Sequence, residues 1–228
     1  MNYILAIETA TKNCSVAIFE NSRLLDFIEQ GGDYSHAELL APFTEALLDR
    51  NNLRVGELSA IAISSGPGSY TGLRIGLAFA KGLCYGNKIP LIAISTLKSM
   101  AFGAFQFIKD PDAYYCSMID ARRMEVYTEV YNSKLEVIHG IEAIIIDENS
   151  FVYLLKKFTL YFYGDGASKC KSTITHSNAN FSYEGEASAR FMGSLIFEKY
   201  LQEDFEDLAY YKPNYLKEFV ALKSKKLV

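Results

Sequence analysis

The chain has 228 residues, half of them hydrophobic, and a formal net charge of −4. That composition excludes an intrinsically disordered protein, and no apolar run approaches the roughly 20 residues of a membrane-spanning helix. Four scattered cysteines without a Cys-x-x-Cys pair are typical of a reducing compartment. The N-terminus lacks a basic region and a cleavage site, so we expect a cytoplasmic protein without a membrane contact. The net charge gives the chain as a whole no electrostatic footprint for nucleic acid.

The first half of the chain alternates strand and helix patterns. Three apolar stretches joined by short turns predict an antiparallel meander. Pro42 should kink the helix that follows, because proline removes a backbone donor. The predicted elements are strands Tyr3–Glu8, Cys14–Glu20 and Leu24–Glu29, a helix Ser35–Asn51, a strand Ile61–Ser64, a helix Thr71–Tyr85, a strand Leu91–Ile94 and a helix Thr96–Phe107. This order is that of a ribonuclease-H-like half domain.

The polar stretch Lys109–Asp112 marks the predicted boundary between domains 1–108 and 109–228, and the same rhythm then restarts. The predicted strands are Tyr114–Asp120, Met124–Tyr131, Lys134–His139 and Leu160–Tyr163, with Glu142–Ile146 as a further strand or an extended piece. The predicted helices are Glu148–Lys157, one that begins at Ala167, and Ala187–Gln202. The last dozen residues are expected to pack back on the first domain. The predicted fold class is α/β, with two half domains facing a cleft as in the actin-like ATPases and sugar kinases (ASKHA).

The stretch Ala60–Gly76 joins a buried strand to a helix through Gly66-Pro67-Gly68. Such a turn before a helix N-terminus is a ready anion site, to which Gly66, Gly68 and Ser69 would contribute. The Lys-Ser/Thr pair of a P-loop is missing. The alternatives are a tightly packed interface with a second chain and ordinary strand–helix packing. The interface reading starts from Gly72, Gly76 and Ala80, which lie four residues apart on one face of the helix.

Four stretches resemble the TsaB (YeaZ) family: Ile4–Thr11, Gly66–Gly76, Ile119–Tyr127 and Pro213–Lys217. Lys217 departs from the arginine of many members. The resemblance implies an actin-like fold and a non-catalytic role in making threonylcarbamoyladenosine in tRNA. It further implies a heterodimer with the metal-bearing relative TsaD, engagement of the ATPase TsaE, contact with tRNA through the complex, and a homodimer when the partner is absent.

The chemistry of the sequence agrees with a non-catalytic role. The catalytic relative needs two histidines four apart on a helix, and the matching helix offers only His36. The first turn lacks the glycine that kinases of this fold use near phosphate, although Glu8 could hold a cation and Thr9 or Thr11 could donate to phosphate. No nucleophile–base set is present. We therefore expect no catalytic residue, metal or cofactor, and keep a small-molecule kinase, a peptidase and a plain homodimer as rivals.

Two helices show more apolar surface than one sheet can cover, and in the family they meet their counterparts in the partner. The predicted interface residues are His36, Leu39, Leu40, Phe43, Leu47, Gly72, Arg74, Ile75, Gly76, Phe79 and Ala80. Small residues on the second helix would permit a close crossing. A bulky charged residue at Gly76 is therefore expected to leave the monomer folded and to abolish partner binding.

Two further stretches keep two interpretations each. Gly164, Asp165 and Gly166 follow a strand, where active members of the fold grip a nucleotide, and the alternative is a structural turn. Asp120, Arg122 and Arg123 form a predicted hairpin turn. They either pair with each other or make a polar contact near the cleft or with a partner.

Overall fold

The computed structural model describes residues 1–32 and 36–217. The predicted helix start at Ser35 and the tail lysines Lys223, Lys225 and Lys226 lie outside these residues. Among the helices of the described ranges, none has the length and apolarity needed to cross a bilayer.

The first sheet has five strands in the order β3-β2-β1-β4-β5. Its strands are β1 (Tyr3–Glu8), β2 (Cys14–Glu20), β3 (Arg23–Gln30), β4 (Leu58–Ser64) and β5 (Leu91–Ile94). β1 pairs antiparallel with β2 and parallel with β4. Helices α1 (His36–Arg50) and α2 (Tyr70–Asn87) cover one face through a core that includes Leu5, Leu47 and Leu77. Nearly every β1 and β2 residue is buried because both faces of the sheet are covered.

The second sheet repeats this topology, with the order β10-β9-β6-β7-β8. Its strands are β6 (Tyr114–Asp120), β7 (Glu125–Tyr131), β8 (Val137–Ile145), β9 (Leu160–Tyr163) and β10 (Ala179–Asn180). As in the first sheet, three strands form an antiparallel meander and the next two are parallel to its first strand. The predicted fold class, α/β with two ribonuclease-H-like halves, is confirmed.

Two helices pack across the predicted domain boundary. Helix α3 (Thr96–Phe107) lies in the first predicted domain and packs on β6 and β7 of the second sheet. Helix α5 (Gly193–Leu201) lies in the second and packs on the first sheet, where Leu195 and Ile196 join a core with Ile4. The domain boundary between residues 108 and 109 therefore stays a prediction. Each half contributes one helix that packs on the sheet of the other half.

Several predicted elements of the second half are corrected. Strands predicted as Lys134–His139 and Glu142–Ile146 are one strand, β8, which continues through Gly140. The helix predicted over Glu148–Lys157 is the single turn α4 (Val152–Leu155), preceded by Phe151 at a φ of 63°. The helix expected from Ala167 is a 3-10 turn at Ser168–Cys170. In the first half, the kink predicted at Pro42 does not end the helix, because Pro42 lies inside α1, which runs from His36 to Arg50.

Candidate partner interface and cleft

Helix α2 begins where a tight loop meets the first turn of the chain. The Ser69 side chain accepts a hydrogen bond from the Gly72 amide at 3.2 Å, which satisfies one of the free donors at the helix N-terminus. The Ser69 amide donates to the Ala10 carbonyl at 2.6 Å. Gly66 precedes it at a φ of 98°, where a Cβ would lie 2.8 Å from the Asn214 carbonyl oxygen. The loop is thus held between the first turn and the C-terminal segment.

One face of α2 packs on that first turn. A Cβ at Gly72 would collide with the Thr9 carbonyl oxygen, and one at Gly76 would collide with the Thr9 hydroxyl. Ala80 is fully buried on the same face. The expectation that these three residues present an open face to a partner is wrong, because the close backbone approach that they permit is made within the chain itself. A large charged residue at Gly76 is therefore expected to unfold the monomer.

The apolar arc of α1 is likewise divided between core and surface. Leu40 and Leu47 are buried in the first core, so they are not available to a partner in the folded chain, contrary to prediction. Leu39 and Phe43 are only partly buried against the same core. They remain the residues of this helix that can contribute apolar area to an interface.

The outer face of α2 is open. Side chains added at Gly82 and Gly86 would meet no heavy atom within 4 Å. Ala78 and Arg74 are exposed at the same four-residue spacing. We call Ala78, Gly82 and Gly86 the outer small-residue stripe. It is flanked by Ile75 and Phe79, which are partly buried, and by Tyr85, which is 82% exposed.

His36 lies at the junction of α1 and the first turn. Its Nε2 is 2.9 Å from the Thr11 carbonyl oxygen, and its ring also lies next to Gly72. Partial burial lowers the pKa of His36, which favours the neutral ring. This histidine therefore contacts its own chain, at the edge of the cleft, and lies apart from the outer stripe.

The predicted phosphate or cation ligands of the first turn are mostly enclosed. Glu8 is fully buried, and its Oε1 accepts from the Ala10 amide at 2.7 Å. Its Oε2 has no hydrogen-bond partner among the described residues. Burial raises the pKa of Glu8 to about 7. Thr9 is 2% exposed, so neither side chain reaches the cleft, whereas Thr11 lines it. In the described part of the chain, no cluster of His, Cys, Asp and Glu side chains has the arrangement of a metal site.

A cleft of about 640 Å³ lies between the two halves. Its walls carry both signs of charge. The residues that line it include Thr11, Lys12, His36, Gly68, Ser69, Tyr70, Asp120, Arg122, Tyr127, Asp165, Tyr215 and Lys217. Gly164 and Gly166 pack instead against the end of β6, where a Cβ at Gly166 would lie 2.9 Å from the Ile119 carbonyl carbon. A 3-10 turn at Ser168–Cys170 also replaces the helix predicted from Ala167. Both observations favour the structural turn over a nucleotide site for Gly164, Asp165 and Gly166.

The hairpin turn after β6 is not self-paired through its arginines. Asp120 accepts from the Arg122 amide at 2.8 Å, and its carboxylate forms an ion pair with Lys169. Neither Arg122 nor Arg123 forms an ion pair with any of the described residues. Asp165 Oδ1 accepts from the Asp120 amide at 3.0 Å, which ties the two loops together.

Residues 206–217, which we call the C-terminal strap, cross from the first sheet to the second. The Asn214 amide donates to the Ser65 carbonyl at 2.7 Å. Lys81 of α2 donates to the carbonyls of Ala209 and Tyr211 at 3.3 and 3.0 Å. Lys217 forms an ion pair with Glu125 of the second sheet. The strap thus links α2 to the second half of the molecule.

Fold and cleft together define an α/β protein built from two ribonuclease-H-like halves. A family model described as TsaD, tRNA N6-adenosine threonylcarbamoyltransferase, matches residues 33–226. The chain belongs to this family and, within it, to the TsaB (YeaZ) group. A structure of a protein from Pseudomonas aeruginosa, described as similar to peptidase YEAZ, superposes with a TM-score of 0.83 at 24% identity. That match covers 95% of this chain and all of the other, and it supports the same fold.

Several curated relatives are described as tRNA threonylcarbamoyladenosine biosynthesis protein TsaB. The Escherichia coli protein is 36% identical over 61% of this chain and 60% of its own length. The Haemophilus influenzae protein is 28% identical over 96% and 95%. The Bacillus subtilis protein is 32% identical over 64% and 61%. The chain thus matches about three fifths of the first and third relatives and nearly all of the second.

Proposed function

We propose that this chain is a non-catalytic subunit for the threonylcarbamoylation of tRNA, and that it pairs with the metal-bearing relative TsaD. The open outer face of α2 is the observation that carries the proposal. Small residues at Ala78, Gly82 and Gly86 let a second helix approach closely, and Leu39, Phe43, Ile75 and Phe79 supply apolar area beside them. Arg74, which is exposed, provides a polar contact at the edge.

The same face would serve a homodimer when TsaD is absent. The ATPase TsaE would join the assembled pair, and tRNA would reach this subunit through the complex in the cytoplasm. These assignments rest on the family, whose curated relatives are described as tRNA threonylcarbamoyladenosine biosynthesis proteins.

The described side chains that could act as nucleophiles support a silent subunit. All four cysteines are buried. Burial raises the pKa of the thiols of Cys14, Cys84 and Cys116 to about 12, so that they stay protonated and weakly nucleophilic. The enclosure of Glu8 and Thr9 removes two of the groups that a kinase of this fold would need at the first turn. Calorimetry with Mg-ATP tests the kinase rival, which requires tight binding to the isolated chain.

The pairing proposal is tested with one glycine variant and a matched control. Gly82→Glu places a charge on the outer stripe, where there is space for it in the monomer. We expect normal circular dichroism and thermal stability, but no mixed species with TsaD from the same genome in size-exclusion chromatography with light scattering. Gly140→Glu makes the same change at another open glycine, on β8, and should leave the heterodimer intact.

The outcomes separate the alternatives. If the Gly82→Glu protein forms the one-to-one heterodimer as well as the wild type does, the outer face of α2 is not part of the interface. Failure of the wild-type chain to form any mixed species would overturn the proposed subunit role itself.

A further inference from the structure

The turn between β6 and β7 presents two arginines in an unusual backbone conformation. Arg122 and Arg123 have φ values of 71° and 50°, which non-glycine residues rarely adopt. The turn is closed by the Ala121 amide on the Glu125 carbonyl and by the Glu125 amide on the Arg122 carbonyl, both at 3.1 Å. Both side chains are exposed, and Arg122 lines the cleft. We call these two residues the arginine turn.

The charge of the arginine turn is not compensated by its neighbours. The nearby carboxylates of Asp120 and Glu125 already have cations of their own, Lys169 and Lys217. The two guanidinium groups therefore add positive charge to this turn, and Arg122 brings its charge to the wall of the cleft, in a chain whose net charge is −4.

An aromatic layer lies on the opposite rim, at the start of α2. The rings of Tyr70 and Tyr215 have centroids 4.8 Å apart, and both residues line the cleft. The Arg74 guanidinium lies 4.0 Å from the Tyr70 ring centroid, and its Nε donates to the Tyr215 hydroxyl at 3.0 Å. Arg74 is exposed. Such layers of aromatic rings and guanidinium planes are the surfaces on which unpaired bases stack.

We propose that the two rims together bind a single-stranded segment of RNA. The arginine turn would contact phosphates, and the layer of Tyr70, Arg74 and Tyr215 would receive a base. The arginine turn and the aromatic layer together suit RNA better than a protein partner. Arginines bind phosphates, and unstacked bases stack on planar side chains. This inference rests on the proposed function, in which the RNA is the tRNA substrate, and makes its contact with this subunit a direct one.

Binding of a fluorescent tRNA transcript to the isolated chain, followed by anisotropy at several salt concentrations, tests the arginine turn. Arg122→Gln/Arg123→Gln is expected to weaken binding at least fivefold. It should make the negative slope of log K against log salt shallower by roughly 1.4, since each lost single-strand phosphate contact removes about 0.7 from its magnitude. The matched control is Lys156→Gln/Lys157→Gln, which removes two neighbouring exposed cations of the second half and should change binding less than twofold.

A second variant tests the aromatic layer. Tyr70→Leu removes a stacking face and no charge, so it should weaken binding about fivefold or more while the salt slope stays unchanged. Circular dichroism on each variant reports folding.

The inference is overturned if the arginine variant binds tRNA as the wild type does, or if the lysine control loses as much affinity. Either result would leave the proposed subunit role standing, since heterodimer formation with TsaD is measured separately by light scattering. If the wild-type chain forms no heterodimer with TsaD, that result would contradict the proposed subunit role but not the proposed RNA-binding surface.

Discussion

The two faces of α2 carry similar small residues in opposite surroundings. The inner face places Gly72 and Gly76 against Thr9 of the first turn, so closely that neither position has room for a Cβ. The outer face places Gly82 and Gly86 in open space. A four-residue spacing of small residues therefore identifies a face of a helix but does not tell which neighbour it approaches.

The sequence contains both stripes, and its pattern predicts the inner one as the partner surface because Gly72, Gly76 and Ala80 follow the glycine loop directly. The structure packs that stripe on the chain's own first turn. Ala78, Gly82 and Gly86 show the same spacing six residues further along the helix. The remaining α2 surface is apolar nearly all round, with Leu73 and Leu77 buried and Phe79 half-buried, so hydrophobicity could not separate the two sides.

The largest effect should come from filling the inner face. Gly72→Leu is expected to lower the free energy of unfolding by about 4 kcal/mol or more, because the side chain collides with backbone that cannot move away. Gly82→Leu is the matched change on the outer face. It should leave the monomer at least as stable as the wild type, since leucine favours helix over glycine by up to about 1 kcal/mol.

Urea unfolding of both leucine variants measures the difference. Similar losses for the two proteins would show that the faces do not differ as the structure describes.

A smaller effect, dependent on pH, should come from the turn beneath the inner face. Burial raises the pKa of Glu8 from 4.5 to about 7, so the folded state holds this proton more tightly than the unfolded chain. The contribution of Glu8 to stability is therefore greatest below pH 4.5 and is lost as the pH rises through 7. The loss is roughly 3 kcal/mol, at 1.36 kcal/mol for each pKa unit.

Glu8→Gln isolates this contribution from the other carboxylates. The neutral side chain keeps an acceptor for the Ala10 amide, and it should match the wild type near pH 5 and exceed its stability near pH 8. Chemical denaturation at both pH values gives the comparison. A difference between the two proteins that is the same at pH 5 and pH 8 would contradict the raised pKa.

The fold could be predicted from the sequence largely because local patterns agree with the tertiary structure in the first half. Strands β1, β2 and β5 and helix α3 match their predicted bounds. In the second half, Gly140 interrupts the apolar pattern of β8 although the strand continues through it. Glycine in a strand removes a side chain but not a backbone donor, so it does not by itself end the strand.

The candidate site was less accessible to sequence reasoning because its contacts join distant segments. The partner of Asp120 is Lys169, 49 residues away, whereas the sequence offers two arginines beside it. The enclosure of Glu8 arises from the tertiary packing around the first turn and cannot be deduced from its neighbours in the sequence. Short-range patterns therefore predict which stretches carry candidate residues, but the direction of each side chain depends on the tertiary structure.

The smallest expected effect concerns a third side of α2, where the C-terminal strap is attached. Lys81 donates to the carbonyls of Ala209 and Tyr211, and Lys81→Met removes both bonds while keeping much of the apolar stem. We expect a loss of about 1 kcal/mol, since such bonds at a partly exposed site contribute modestly. Hydrogen exchange should report it as faster exchange in peptides from residues 206–217, including the Asn214 amide on Ser65. Lys156→Met, at an exposed lysine of the second half, should leave those peptides unchanged. Equal exchange in both variants would mean that the strap is held by Arg74 and the contacts with the two sheets alone, without a contribution from Lys81.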